Sequence, residues 1–221
     1  VAILCWLPVV KGYRKTISEK SKGIQVRMPW RDGLFIKFIA LTTLFVTCFF
    51  LMFRVVPLFF KEVWHLDESL IGMILGLNGL IIALFEMVMI SKIENKRSPV
   101  YYIVVGVVLV AVAFLLLLIP KSMPLAIALV MTVILTFGEM FSLPFINTFV
   151  ISRSNEFNRG QYAAGYTLSW SAAQVVGPTA GFYLAEKFGY NVLWIVLAAL
   201  LLLCAYGFSL LVLSVEEPKR V

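Results

Sequence analysis

Glu139 stands in the middle of an apolar stretch, Pro124 to Ile151, within about 2 Å of its midpoint at 1.5 Å rise per residue. An acidic side chain at the centre of a membrane helix costs about 2.5–3.5 kcal/mol on insertion scales, so it needs a partner, a proton or a water-filled cavity. Desolvation favours the neutral acid, and a carboxyl that takes up and releases H+ at such a depth is suited to carrying a proton. Thr132 and Thr136 precede it on the same helical face. Gln174 holds the middle of the stretch Tyr162 to Ala185, with Thr167, Trp170, Ser171, Gly177, Pro178 and Gly181 on the same side. Gln174 is the residue there able to contact a solute, whereas Gly177 and Gly181 permit close helix packing. Asn78 sits at similar depth in Ser69 to Ile90, with interhelical bonding and cavity lining both open to it. Arg54 shares a face with Thr43 and Thr47 in Leu34 to Phe60; it either faces a cavity or snorkels to the interface. Glu86 either faces the cavity or pairs with a cation on its side of the membrane. Arg54 and Glu86 differ in depth by about 19 Å, so different partners are expected for them.

Other chemistries lack their residues. His65 is the single histidine and stands in a polar hairpin, which removes any histidine pair for zinc. Cys5, Cys48 and Cys204 lie inside apolar runs without ligand or disulfide spacing and read as small packing residues. No Gly-x-x-x-x-Gly-Lys loop is present to cradle a nucleotide. Enzymatic activity, metal binding and a cofactor are therefore not expected.

The elements that must position these side chains follow from composition. Of the 221 residues 61% are hydrophobic and 14% charged, against about 45–50% and about 25% in soluble domains. Six stretches are long enough to cross a bilayer: Leu34 to Phe60, Ser69 to Ile90, Val100 to Ile119, Pro124 to Ile151, Tyr162 to Ala185 and Asn191 to Leu213. Backbone groups in lipid must be satisfied internally, and strict alternation is absent, so these are helices rather than a barrel. The expected organisation is the end of a preceding membrane helix at 1–10, a basic linker at 11–33, a six-helix bundle at 34–213 and a tail at 214–221. Lys11, Arg14, Lys15, Lys20, Lys22, Arg27 and Arg31 fill the linker, and Lys92, Lys96, Arg97, Arg153, Arg159, Lys219 and Arg220 fall on the same side; the opposite loops hold only Lys61, Lys121 and Lys187. The positive-inside rule places linker and C-terminus in the cytoplasm, with Lys37 anchoring the first span there. The net charge of +7 is thus a topology signal. It is divided among short loops without an aromatic platform, so a nucleic-acid partner is not expected.

The third and sixth spans are plain Val/Leu/Ile/Ala/Phe, as lipid-facing helices are, while the other four carry polar residues in mid-span. Polar, polar, plain, repeated once, indicates two three-helix units, the second inverted relative to the first.

With those features the sequence resembles the C-terminal half of a major facilitator superfamily transporter. The resemblance takes in the end of a sixth helix, a basic central loop and helices seven to twelve. Ile93-Glu94-Asn95-Lys96-Arg97 resembles the second copy of the family's acidic/basic loop motif, with Glu as the acid and no glycine before the basic pair. Arg159-Gly160 leading to Gly177-Pro178-Thr179-Ala180-Gly181 resembles the Arg-Gly start and Gly-Pro-x-x-Gly kink of these carriers, whose strong form in drug or metabolite:proton antiporters lies in the other half. Gly138-Glu139-Met140 followed by Pro144 is similar to the Gly-Glu and Pro of proton-coupled oligopeptide carriers. The resemblance implies secondary active transport of a small solute by alternating access, with H+ as coupling ion, efflux as one direction, and a missing N-terminal six-helix half as partner within the lipid bilayer. It implies that Glu94, Lys96 and Arg97 form a conformational latch against that half. A six-helix homodimeric carrier and a non-transporting membrane receptor or scaffold are the alternatives.

Overall fold

The computed structural model describes residues 28–94, 96–120 and 123–216, with side chains described as far as residue 211. The expected helix end at 1–10, most of the basic linker at 11–33, Asn95 of the loop motif and the last five residues of the tail lie outside that set.

Helices account for the bundle, and local sequence sets their ends. A single 3-10 turn, Pro29–Arg31, leads to Asp32, whose Oδ1 accepts the Phe35 N–H at 3.3 Å and caps α1, Gly33–Phe49. At Phe50 the chain tightens and continues as α2, Leu51–Glu62. Phe50 N–H still reaches the Val46 carbonyl at 3.0 Å, so the two form one span. His65, at φ 54, turns the chain into α3, Glu68–Ile93. Pro99 and Pro124 occupy first-turn positions, where the missing N–H costs nothing, and open α4, Pro99–Leu116, and α5, Pro124–Arg153. Gly189, at φ 85, separates α6, Arg159–Phe188, from α7, Tyr190–Glu216, a backbone geometry that favours glycine.

Among the described residues five spans are long and apolar enough to cross a membrane: α1 with α2, α3, α4, α5 and Tyr190–Leu211 of α7. The sixth expected span, α6, is 30 residues long and packs in the same bundle, but its Gly, Ser, Thr and Gln residues leave it less apolar.

Contacts at each end fix the alternating directions. Asp32 before α1 meets Arg153 at the end of α5 and Tyr162 at the start of α6, and Tyr102 of α4 donates to the Ile93 carbonyl of α3 at 2.8 Å. At the other end Tyr190 of α7 donates to Glu62 of α2 at 2.9 Å. The first of these ends carries Arg31, Lys92, Lys96, Arg97, Arg153 and Arg159.

The core lies where α4, α5 and α7 meet and where α1 packs on α6 and α7. Glycine allows two of these approaches: a methyl at Gly138 would sit 2.8 Å from the Gly106 carbonyl oxygen, and one at Gly177 would sit 2.6 Å from that of Thr47. The plain helices α4 and α7 were expected to be the lipid-facing supports. Each does expose an apolar face, including Val112 and Leu115 on α4 and Ile195 and Leu203 on α7, but their other faces build much of the core. The most open helix is α3, whose buried residues are Ile71, Ile74 and Asn78, whereas half of the α4 residues are buried. A methyl added at its Gly72, Gly76 or Gly79 would meet nothing within 4 Å.

Candidate functional site

Midway through the bundle, α3 and α5 are joined by one polar group. Asn78 Nδ2 donates to Thr136 Oγ1 at 3.0 Å and to Glu139 Oε2 at 3.1 Å. Thr136 Oγ1 in turn donates to the Thr132 carbonyl at 2.7 Å, which leaves its lone pairs free to accept from Asn78. Both amide hydrogens of Asn78 are thus used, as a buried amide requires. Asn78 and Thr136 are buried and Glu139 is half-buried. No described residue donates to Glu139 Oε1, so one oxygen is fixed by the protein and the other is left to a proton, water or solute. No cation pairs with Glu139 among the described residues, and Glu86 is half-buried further along the facing helix α3.

Proline shapes the backbone around three of the candidate residues. A proline inside a helix removes the hydrogen bond to the carbonyl four residues earlier. Pro144 therefore frees the Met140 carbonyl next to Glu139, Pro178 frees that of Gln174, and Pro57 frees that of Phe53 next to Arg54. Polar side chain and unbonded carbonyl coincide at each place.

The remaining candidates are distributed around this group. Thr47 Oγ1 donates to the Thr43 carbonyl at 2.7 Å, so its hydroxyl is engaged by its own helix, and its carbonyl faces Gly177 of α6. Gln174 is exposed on α6, and no hydrogen bond joins it to Glu139. Arg54 and Glu86 do not pair with each other. Arg54 is exposed and lines a cavity of about 300 Å³ with Pro57, Leu58, Lys61, Glu68 and Ile71. Glu94, Lys96, Arg97 and Arg159 are exposed at the basic end, where the Arg97 guanidinium lies 4.8 Å from the Tyr101 ring centre. Gly177 and Pro178 lie where α6 meets α1. No group of three or more metal-binding side chains occurs among the described residues.

A second polar cluster, not anticipated from sequence, closes the basic end. Arg153 Nε and Nη2 donate to Asp32 Oδ2 at 2.9 and 2.8 Å, and the Tyr162 hydroxyl donates to the same oxygen at 3.1 Å. Burial acts to raise the Asp32 carboxyl, but Arg153, the Phe35 N–H and Tyr162 outweigh it and hold the group below the ordinary carboxylate value. Asp32 three residues before Phe35 was a readable helix cap; a partner 121 residues away was not.

Comparison with known proteins adds the family. The family described as Major Facilitator Superfamily matches residues 1–164. The chain is 30% identical over 96 residues to the uncharacterized MFS-type transporter YhjO of Bacillus subtilis (strain 168), which covers 43% of this chain and 24% of that protein. It is 28% identical over 137 residues to the uncharacterized MFS-type transporter YttB of the same organism, covering 61% of this chain and 34% of that one. The matched region thus spans about a quarter to a third of the length of these relatives. No solved structure matches.

Proposed function

Because the chain belongs to the Major Facilitator Superfamily, we propose that it forms the C-terminal six-helix half of a secondary carrier, which moves a small solute across a cytoplasmic-type membrane by alternating access coupled to H+. The observation that carries this reading is the Asn78–Thr136–Glu139 group. Protonation of Glu139 at Oε1 leaves Oε2 accepting from Asn78 and turns Oε1 from an acceptor into a donor. The acid thereby changes what it offers to the cavity without releasing its hold on α3, which is the property a coupling site needs.

The wider arrangement is consistent with this role. The little-buried α3 and the exposed polar positions of α6 leave a surface for the other six-helix half, and Gln174 and Thr47 stand where α1 and α6 border it. The end rich in Lys and Arg faces the cytoplasm, and there Glu94, Lys96, Arg97 and Arg159 are exposed, with no ion pair among the described residues, and are placed to latch onto that half. A carrier of this kind performs no bond chemistry and needs no cofactor.

The test is Glu139→Gln in the intact carrier reconstituted into vesicles. Gradient-driven flux is expected to fail while solute exchange and binding survive. Equal loss of all three would assign Glu139 a structural role.

A further inference from the structure

Arg54 is an exposed cation within the first membrane span, and no described residue forms an ion pair or hydrogen bond with its guanidinium. Arginine in such a position is costly unless water, an anion or a cavity receives it. An open groove is present: Arg54, Pro57, Leu58 and Lys61 lie on one face of α2, Glu68 and Ile71 on the facing turn of α3, and they border about 300 Å³. Lys61 Nζ and Glu68 Oε1 pair at 2.5 Å across the α2–α3 turn, so the two charges at the rim cancel. Arg54 lies seven residues further in, about 10 Å at helical rise. Among the described residues it is left as the uncompensated charge lining the groove, beside the apolar Pro57, Leu58 and Ile71.

We propose that this groove is a binding site for the carboxylate or phosphate of a small amphipathic anion, with the Arg54 guanidinium taking two of its oxygens and Pro57, Leu58 and Ile71 contacting its apolar part. The proposal rests on the carrier reading and narrows its solute to organic anions. Guanidinium offers paired N–H donors that match a carboxylate or phosphate edge. The volume is at the small end of ligand pockets, about 300–1,000 Å³, which suits a solute of modest size. Depth separates such a solute from a membrane lipid. A lipid phosphate belongs in the headgroup layer, level with the Lys61–Glu68 pair at the turn, whereas the guanidinium sits a helical turn and a half or more below it.

The experiment uses the intact carrier in phosphatidylcholine nanodiscs, with octyl phosphate as probe and octyltrimethylammonium as a control of equal tail and opposite charge. Calorimetry should show saturable binding of octyl phosphate and none of the cation. Arg54→Gln should weaken binding at least about tenfold, the loss expected of charge-assisted hydrogen bonds. Arg54→Lys, which keeps the charge but loses the paired donors, should weaken it by less, and Lys187→Gln, an exposed cation outside the groove, should leave it within about threefold. Equal binding by wild type and both Arg54 variants, or equal binding of the cation, would overturn the proposal. So would failure of octyl phosphate to bind while phosphatidylglycerol is retained by wild type and lost from Arg54→Gln in native mass spectrometry, a result that assigns the guanidinium to a lipid headgroup. Equilibrium binding needs no turnover. A protein that binds octyl phosphate through Arg54 but shows no flux would reject the carrier reading and keep the site; one that transports normally but binds no anion would do the reverse.

Discussion

Asp32 and Glu139 are both acids held inside the bundle, and they are held differently. Asp32 is 1% exposed and meets a guanidinium, a phenol hydroxyl and a backbone N–H. Every donor there favours the charged carboxylate, which three elements share: the cap of α1, the end of α5 and the start of α6. Glu139 is half-buried and meets one neutral amide through one oxygen. An amide donor serves a carboxylate and a carboxylic acid alike, so that proton can come and go with the helices still in contact. An acid matched to a cation fixes structure; an acid matched to an amide is left able to change state.

The largest effect expected from breaking this contrast is at Asp32. Arg153→Ala leaves a buried carboxylate without its cation, and a buried pair that loses one partner costs about 3–5 kcal/mol. The stability of the detergent-solubilised protein should fall accordingly, with Asp32→Asn costing less because the charge it leaves unpaired, on Arg153, is 24% exposed and within reach of water. The pH dependence follows from the depressed Asp32 value. Its stabilisation is fully present above the unfolded carboxyl value of about 3.9 and is lost as pH falls through the lower folded value. Asp32→Asn should flatten the wild-type decline in that acid window. A wild-type decline unchanged by the substitution would remove Asp32 from the structural side of the comparison.

A smaller effect separates the packed helices from the open ones. Gly138→Ala puts a methyl 2.7 Å from Val110 Cγ2 and 2.8 Å from the Gly106 carbonyl oxygen, an overpacking that costs about 1–3 kcal/mol. Gly76→Ala on α3 meets nothing within 4 Å and should gain up to about 1 kcal/mol from helix propensity when this half is measured alone. Equal destabilisation by both, read by thermal unfolding, would contradict the packing described for α3 and α5.

The spans were legible because lipid leaves a chain few options: long apolar runs, prolines at helix starts and glycine at Gly189 mark the boundaries to within a few residues. Intramembrane polarity likewise singled out Asn78 and Glu139, and the threonine stripe before Glu139 includes Thr136, which completes their group. What sequence does not carry is which faces meet. Asn78 and Glu139 stand 61 residues apart, and Asp32 and Arg153 stand 121 apart; nothing local links either pair. The same gap explains α4 and α7. Their lack of polar residues marked them as outward helices, but an apolar helix satisfies a lipid face and a packed face equally well, and only tertiary contact shows that they do both.

Orientation is a further expectation with a simple check. Single cysteines at Phe188 should react with an impermeant thiol reagent added outside and those at Ser98 should not, as the loop charges require. Reversed labelling would invert the proposed topology without disturbing the fold.

The smallest stability change and the most direct test belong to the same substitution. Glu139→Gln keeps an oxygen for the Asn78 amide, so unfolding should shift by less than about 1 kcal/mol. In vesicles holding the intact carrier, flux driven by a proton gradient should be abolished while exchange of labelled for unlabelled solute continues at close to the wild-type rate. Gradient-driven flux that persists in Glu139→Gln, with its dependence on the proton gradient intact, would contradict the assignment of Glu139 as the coupling acid.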